Sequence, residues 1–403
     1  MILLAFKNSA FIRVPIIFIK PEKDKDMILY EHEAKRLFME KGVSIPRGEV
    51  AKTSAEAAAI ARKMGRPVMI KAQILAHPGM GEGEAQIAGS PEEASRTAEE
   101  LLRKSYKGQQ VLELLVEEVV PVQKEIHVAI RVDGAAGAPL VMASLERLSD
   151  LDEEAKASAR VASSHADPFL GLKSHEARKV AKALGFTGDA AGKLADQVHR
   201  LYKAYAAWNA LSAGFNPLVM TPEGNFFASG AFLEMDDSAL FRFPHFRDLS
   251  LSRMLDPLAR EGKTIGVTYV GLEGDIGVIC TGAGIGMATV DLISKRSRPA
   301  NFLETGGGIT EKQMADVLRL VLKKPGLKGV FLNMYGGINP IHEGAKGVVK
   351  VIREDRVNIP VVAKAIGNFQ EETWKILGEG GVTVIKTIPT DQAVEELFKR
   401  LGK

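Results

Sequence analysis

The chain of 403 residues is poor in cysteine. Cys280 is the only one, so no disulfide can form within the chain. It ends the apolar run 276–280, where a buried strand residue is expected rather than a nucleophile. A chain without disulfides suits a reducing compartment, and we expect the cytoplasm.

The sequence also lacks a strong charge of one sign and a long hydrophobic run. Its 53 basic and 50 acidic residues leave a formal net charge of +3, which does not favour a nucleic-acid surface. The mostly apolar stretch 11–19 contains Arg13, is too short to span a bilayer and is not followed by a small-residue cleavage site. We therefore expect residues 1–26 to be a disordered or upstream-extended N-terminus, and we expect no membrane contact.

Helix and strand signals can be placed along the first half of the chain. Amphipathic spacing and capping residues predict helices over 30–39, 54–64, 90–104 and 191–211. Strands are predicted over 67–73, 112–119, 124–133 and 139–144, the last three as a meander. The segment 216–229 is predicted to form a hairpin around Pro222–Asn225.

After about Gly266 five strand signals alternate with five helix signals, which predicts a doubly wound parallel sheet. The first four strands each run into glycine, at 282–284, 306–308, 336–337 and 367. Ligands of such sheets bind at the carboxyl ends of the strands. The run 299–308 adds a bare backbone turn before a helix capped by Thr310, which can hold an anion or acyl group.

These glycine-rich runs carry a resemblance to a known family. Thr281-Gly-Ala-Gly-Ile-Gly-Met-Ala-Thr-Val-Asp291, Pro299-Ala-Asn-Phe-Leu-Glu-Thr-Gly-Gly-Gly308 and Asn333-Met-Tyr-Gly-Gly-Ile338 resemble the β subunit of succinate–CoA ligases. The opening Leu29–Phe38 resembles the start of that family, and the resemblance covers residues 27–403. It implies an α/β fold with an ATP-grasp region over 27–262 and a flavodoxin-like doubly wound parallel-sheet domain over 263–403.

The resemblance also implies an ADP-forming reaction of a carboxylic acid, CoA and ATP. In this family ATP phosphorylates a histidine of a separate α subunit, which also binds CoA. The phosphoryl group passes to the acid, and CoA displaces it to give the thioester. We therefore expect an α-type partner, ATP or ADP, Mg²⁺ and a small carboxylic acid, with no catalytic side chain in this chain itself.

Several family site residues carry over to matching positions. The acid site is predicted at Asn301 and the backbone of Gly337, Ile338 and Asn339, although an asparagine such as Asn301 can also simply close a turn. The predicted nucleotide residues are Lys71, Gly79, Glu117 and Glu125, and the predicted magnesium ligand is Asn216.

The nucleotide half departs from the family pattern. The phosphate loop, 77–84, has no arginine or lysine, contains Pro78, and carries Glu82 and Glu84, which would repel a triphosphate. Gly230 stands where the family has the second metal ligand, an aspartate, and Gly214 stands where it has a glutamate. Glu234, Asp236 and Asp237 could substitute as metal ligands, or could form a solvated acidic turn.

Two residues near the expected contact with the α subunit also differ from the family. His342 could be a new catalytic residue or a surface histidine at a helix start, and Lys364 lies in a segment that replaces more polar residues. Three hypotheses stay open: an active ligase subunit, a binding or regulatory subunit that has lost ATP turnover, and a subunit that accepts a cosubstrate with less phosphate charge.

Overall fold

The computed structural model describes residues 27–75, 84–106, 108–147, 161–254 and 256–402. The chain falls into two compact units that divide between Arg247 and Asp248. The border predicted at 262/263 lies inside the second of them, and the predicted extension, residues 1–26, lies outside the described residues. No helix in the described ranges is long and apolar enough to cross a membrane.

The N-terminal unit mixes helices with antiparallel strands. Its helices are α1 (Glu31–Glu40), α2 (Ser54–Met64), α3 (Pro91–Leu102), α4 (Ser174–Ala183), α5 (Gly188–Ala207), the 3₁₀ helix Asp237–Arg242 and the start of α6 (Pro244–Arg253). Its strands are β1 (Met27–Ile28), β2 (Gly48–Ala51), β3 (Val68–Ala72), β4 (Ala85–Ala88), β5 (Ser105–Tyr106), β6 (Gln109–Gln110), β7 (Leu114–Glu118), β8 (Lys124–Asp133), β9 (Ala138–Ser144), β10 (Ala162–His165), β11 (Ala210–Met220), β12 (Phe226–Ala228) and β13 (Ala231–Met235).

Two larger sheets form this unit. One has four strands in the order β2-β7-β3-β4, and helices α2 and α3 pack against it through a core that includes Ile60, Leu101 and Val116. The other has the order β1-β13-β11-β8-β9-β10, with β12 paired to β11. The predicted hairpin around 222–225 is confirmed by the pairing of β11 with β12.

Two predictions for this unit are wrong. The expected three-stranded meander over 112–144 is wrong for its first strand: β8 and β9 do pair, in the larger sheet, but β7 pairs with β2 and β3 in the other sheet. The helix predicted over 191–211 runs from 188 to 207. It stops because Asn209 has a left-handed backbone (φ 46°) and Ala210 already pairs with Met235 of β13, so tertiary pairing overrides the helical pattern.

The C-terminal unit alternates strands and helices. Its helices after α6 are α7 (Pro257–Ile265), α8 (Ala283–Ser294), α9 (Glu311–Leu322), α10 (His342–Glu354), α11 (Gln370–Glu379) and α12 (Thr390–Arg400). Its strands are β14 (Thr268–Gly271), β15 (Ile276–Cys280), β16 (Asn301–Glu304), β17 (Gly329–Gly336), β18 (Val361–Gly367) and β19 (Thr383–Ile385).

The five predicted parallel strands are confirmed. The sheet order is β14-β16-β15-β17-β18-β19, in which β15 to β19 are parallel and follow the flavodoxin-like order, with β14 as an unpredicted antiparallel edge. Helices α9, α10 and α11 cover one face through residues such as Leu318, Val348 and Leu377. Helices α8 and α12 cover the other face through Val290 and Phe398, so the sheet is doubly wound.

Glycine lets the turns after β17 and β18 touch. Gly367 has φ 122°, and a Cβ atom there would lie 2.1 Å from the carbonyl oxygen of Gly336. The backbone N–H of Asn368 donates to that same oxygen at 2.7 Å. No other residue type combines this backbone conformation with so close an approach.

We expect Gly367→Ala to lower the free energy of unfolding of this unit by about 1–3 kcal/mol, because alanine would force a strained backbone and a clash with Gly336. Gly284→Ala is the matched control, since a Cβ there meets no atom within 4 Å. Denaturant unfolding can be followed by Trp374 fluorescence in a Trp208→Phe background. Equal stability of the two alanine variants would contradict the expectation.

Candidate functional site

Three glycine turns meet at the carboxyl edge of the parallel sheet. A Cβ atom on Gly307, after β16, would lie 2.6 Å from the side-chain nitrogen of Asn339, after β17. The side-chain amide of Asn368, after β18, donates to the carbonyl of Ile338 at 2.9 Å. The structure therefore brings the predicted residues Gly337, Ile338 and Asn339 together with these turns, and all three are exposed.

Asn301 lies elsewhere in the sheet. Its side chain is fully buried at the start of β16, where its Nδ2 donates to the carbonyl of Val278 at 2.7 Å and its Oδ1 accepts from the Val278 N–H at 3.0 Å. Strand register puts it level with Val330, six residues before Gly336, or about 20 Å along the strands.

The prediction that the Asn301 amide holds the acid is therefore not supported. Both of its polar atoms already complete the backbone pairing between two strands. This is the role that a buried amide performs when it stands in for a peptide group.

A row of polar side chains crosses the sheet below the glycine edge. Cys280, Asn333 and Lys364 are paired neighbours on β15, β17 and β18, on the face covered by α8 and α12. The Nδ2 of Asn333 donates to the hydroxyl of Thr289 in α8 at 2.9 Å, while its buried Oδ1 has no partner among the described residues. This row lies between β15 and β17, where the strand order reverses, next to the first turn of α8.

Lys364 is the unusual member of this row. The residue is only 9% exposed, and its ammonium group forms no hydrogen bond or ion pair with any residue that the structure describes. Burial lowers the pKa of this lysine, because an apolar environment disfavours the charged form. A mostly buried lysine whose ammonium has no counter-ion among the described residues is a place where an anion would be stabilised.

The expected burial of Cys280 is confirmed. Its side chain is fully buried, and burial raises the pKa of the thiol to about 12. A thiol of this kind is not a nucleophile at neutral pH. Cys280 therefore serves the packing of this row.

His342 begins α10, directly after the exposed glycine loop. Its side chain is 14% exposed, so it is not an open surface histidine. Its Nε2 lies 3.1 Å from Glu343 Oε1, and its ring centroid lies 4.7 Å from that of Phe369. The buried Nδ1 has no partner in the described part of the chain.

Lys71 and Glu117, two predicted nucleotide residues, belong to a buried ionic cluster. The ammonium of Lys71 contacts Glu117 Oε1 at 2.6 Å, Glu31 Oε1 at 2.9 Å and the carbonyl of Ser229. Lys35 contacts the same two glutamates, at 2.6 and 2.7 Å, and the same carbonyl. Burial opposes the charge on Lys71, but Glu31 and Glu117 outweigh it and raise the pKa of this lysine.

The other predicted nucleotide residues are not brought into this cluster. Glu125 is exposed on β8 in the larger sheet, whereas Glu117 is buried on β7 in the four-stranded sheet. Gly79 and most of the phosphate loop lie outside the described residues. At the end of that loop, hydrogen bonds from Lys104, Tyr106 and Gln86 hold the pKa of Glu84 at about 2, so this carboxylate is charged at neutral pH.

Asn216, the predicted metal ligand, is also engaged within the protein. Its Oδ1 accepts a hydrogen bond from Nδ1 of the buried His127 at 2.6 Å. No cluster of three or more metal-binding side chains occurs in the described ranges. Among the described residues, the structure therefore places Asn216 beside a histidine.

Comparison with known proteins gives the family. A model described as an ATP-grasp domain matches residues 28–220, and one described as a CoA-ligase matches residues 279–398. The β subunit of a GDP-forming succinate–CoA ligase from Thermus thermophilus is 39% identical over 358 residues, which cover 87% of this chain and 93% of that protein. The chain belongs to the succinate–CoA ligase β-subunit family.

Other relatives of this family extend the match. The β subunit of an ADP-forming succinate–CoA ligase from Ignicoccus hospitalis is 35% identical over 378 residues, or 93% of this chain and 99% of that protein. The solved structure of ATP citrate lyase from Methanothrix soehngenii is similar in fold, with a TM-score of 0.69 and 16% identity over 93% of this chain. The predicted fold class, an ATP-grasp region followed by a CoA-ligase domain, is confirmed.

The buried ionic cluster gives a stability test. We expect Glu117→Gln to lower the free energy of unfolding of the N-terminal unit by about 3–5 kcal/mol, because it leaves two buried ammonium groups with one carboxylate. Glu118→Gln, at the neighbouring residue, breaks contacts only with the exposed Arg47 and Arg66 and should cost less than about 1 kcal/mol. Trp208 fluorescence in a Trp374→Phe background reports the unfolding; similar losses in both variants would contradict the cluster's role.

Proposed function

We propose that the chain is the β subunit of an ADP-forming acid–CoA ligase. In this reaction ATP phosphorylates a histidine of an α-type partner, and the phosphoryl group passes to a carboxylic acid. The thiol of CoA, bound by the partner, then displaces phosphate from the acyl phosphate to give the acyl-CoA. Family membership and the joined ATP-grasp and CoA-ligase regions support this proposal, and the cytoplasm is the proposed location.

The uncompensated charge of Lys364 is the observation that supports the acid site. A carboxylate entering at the carboxyl edge would meet this ammonium and the first N–H groups of α8. Both favour a negative charge, and the carboxylate would end the isolation of the lysine. From the sequence, Lys364 was noted only as a departure from the family. The signal for a site residue was a lysine inside the otherwise apolar strand 361–365.

The exposed loop 337–339 is the proposed phosphoryl side of the same site. Its backbone N–H groups precede the N-terminus of α10, where the helix dipole favours an anion. Because Gly307 and Asn339 lie in contact, a group bound at this loop would also lie near the turn after β16. The acid and the phosphoryl group would then share one edge of the sheet.

Exposed apolar side chains support an α-type partner at this edge. Five large apolar residues of the described C-terminal unit are exposed: Tyr335 near the end of β17, Met287 in the first half of α8, and Ile338, Phe369 and Ile388 on the segments that follow β17, β18 and β19. Apolar groups gathered on one side of a soluble unit mark a protein contact. A partner seated there would also exclude water from the acid site.

A second candidate function is favoured by the buried ionic cluster. All three donor hydrogens of Lys71 have acceptors inside the protein, so a nucleotide phosphate would have to compete with Glu31 and Glu117. The chain would then keep the fold, the partner and the acid site without turning over ATP. A thermal shift caused by ATP would exclude this candidate, whereas co-purification of an α-type chain without such a shift would favour it.

The acid site can be tested on the complex with its α-type partner. We expect Lys364→Met to raise the KM for the carboxylic acid about 10- to 100-fold, since a charge-assisted hydrogen bond contributes about 1.5–3 kcal/mol. Lys364→Arg should restore part of the affinity. Acyl-CoA formation is measured against acid concentration across a panel of dicarboxylates; an unchanged KM in the methionine variant would remove Lys364 from the site, and no thioester with any acid would sink the proposed reaction.

The partner surface can be tested separately. We expect Phe369→Asp to weaken co-purification of the α-type partner, because it places a charge in the exposed apolar group. Phe241→Asp is the matched control, as Phe241 is 76% exposed but belongs to the N-terminal unit. Equal recovery of the partner with both variants, measured by pull-down of the tagged β chain, would place the interface elsewhere.

A further inference from the structure

Family resemblance implies a magnesium ion in the N-terminal unit, held by Asn216 and by an aspartate at position 230, with a glutamate at position 214; both positions are glycine here. Those positions, 214 and 230, lie on and beside the hairpin of β11 and β13. A glycine can mark a simple loss of a ligand that leaves its space open. The atoms around each glycine show whether the space for a side chain is open or is filled by other parts of the protein.

Gly230 has no room for a side chain. Its N–H donates to the carbonyl of Pro217, and its own carbonyl accepts from the Asn216 N–H, both at 2.9 Å. A Cβ atom at this position would lie 1.7 Å from the carbonyl oxygen of Asn216. An aspartate could enter only if this turn moved as a whole.

The space beside Gly214 is occupied by an aromatic ring. A Cβ atom there would lie 2.4 Å from the ring of Phe232 and 2.3 Å from the carbonyl oxygen of Val128. Gly214 and Phe232 are directly paired residues of β11 and β13. An apolar ring thus fills the direction in which the family glutamate would project.

The remaining ligand is turned toward a donor. The hydrogen bond from the buried His127 to Asn216 Oδ1 takes one lone pair of that oxygen. The N–H of His127 carries a partial positive charge, which would repel a cation bound to the same Asn216 oxygen.

Three nearby carboxylates also accept hydrogen bonds within the protein. Glu234 accepts from the hydroxyl of Ser212 at 2.7 Å, Asp236 accepts from the N–H of Ser238 at 2.8 Å, and Asp237 accepts from the N–H of Met27 at 2.8 Å. These bonds fix the strand and the 3₁₀ turn that follow the hairpin. No group of three His, Cys, Asp or Glu side chains that could hold a metal occurs in the described part of the chain, so the predicted alternative of a metal held by these three carboxylates is not supported.

We infer that the N-terminal unit of this chain binds no magnesium–nucleotide at positions 214, 216 and 230, because its own packing has taken over the site. Phe232 and the Asn216 carbonyl fill the space that side chains at 214 and 230 would need, and His127 is bonded to Asn216 Oδ1. The inference concerns the metal alone and is independent of the acid site at Lys364. Any nucleotide that the unit accepts is held without an ion at these residues.

Manganese, a paramagnetic substitute for magnesium, tests this on the complex of the full chain with its partner. Electron paramagnetic resonance of Mn²⁺ is recorded with and without ADP, for the native chain and for Asn216→Ala. We expect that any bound Mn²⁺ is the same in both proteins. Loss of Mn²⁺ binding in the alanine variant, with its fold verified by circular dichroism, would overturn the inference.

A second measurement needs no change at Asn216. An ion on Asn216 Oδ1 would lie beside the His127 ring, so it would broaden the ring resonance of His127, assigned through His127→Gln. We expect that resonance to stay sharp when Mn²⁺ and ADP are added. Acyl-CoA formation from acyl phosphate and CoA is measured in parallel and reports the thioester-forming step alone. Failure of the proposed reaction and failure of this inference therefore give different results.

Discussion

The backbone contact between Gly336 and Gly367 is the constraint on which the proposed site at the carboxyl edge depends. Parallel strands already bring their carboxyl ends to one edge, but side chains would normally keep the following turns apart. Here the missing Cβ atoms let the turns touch, and the exposed loop 337–339 is fixed against its neighbours through Asn339 and Asn368. The loop that would meet an anion is thus held by backbone packing.

The buried lysines of the two units differ in whether they have carboxylate counter-ions. In the N-terminal unit, Lys35 and Lys71 are balanced by Glu31 and Glu117, and the cluster is neutral as a whole. In the C-terminal unit, Lys364 has no such balance among the described residues. A closed ionic cluster is stable without a ligand, whereas an isolated ammonium is stabilised when an anion arrives. The site proposed for an anionic substrate therefore lies at the parallel sheet.

Sequence reasoning located the parallel sheet and its glycine edge, because strand-helix alternation and glycine at strand ends are local patterns. It did not locate β14, and it joined β7 to the wrong sheet, since pairing between distant strands leaves no local signal. For the site, it predicted the loop 337–339, which lies at this edge, and it assigned Asn301 to the acid. The residue type fits both a ligand and a buried cross-strand amide, and only the contact with Val278 separates the two.

The pairing of Gly214 with Phe232 has an evolutionary consequence. A return of glutamate at 214 would clash with the ring unless Phe232 had already become small, and a small residue at 232 without the glutamate would leave a cavity. Either substitution alone, at 214 or at 232, is thus unfavourable. Position 230 adds a third change, since aspartate needs the whole turn to move. The packing at these positions therefore makes recovery of the metal ligands by single substitutions less favourable than their loss.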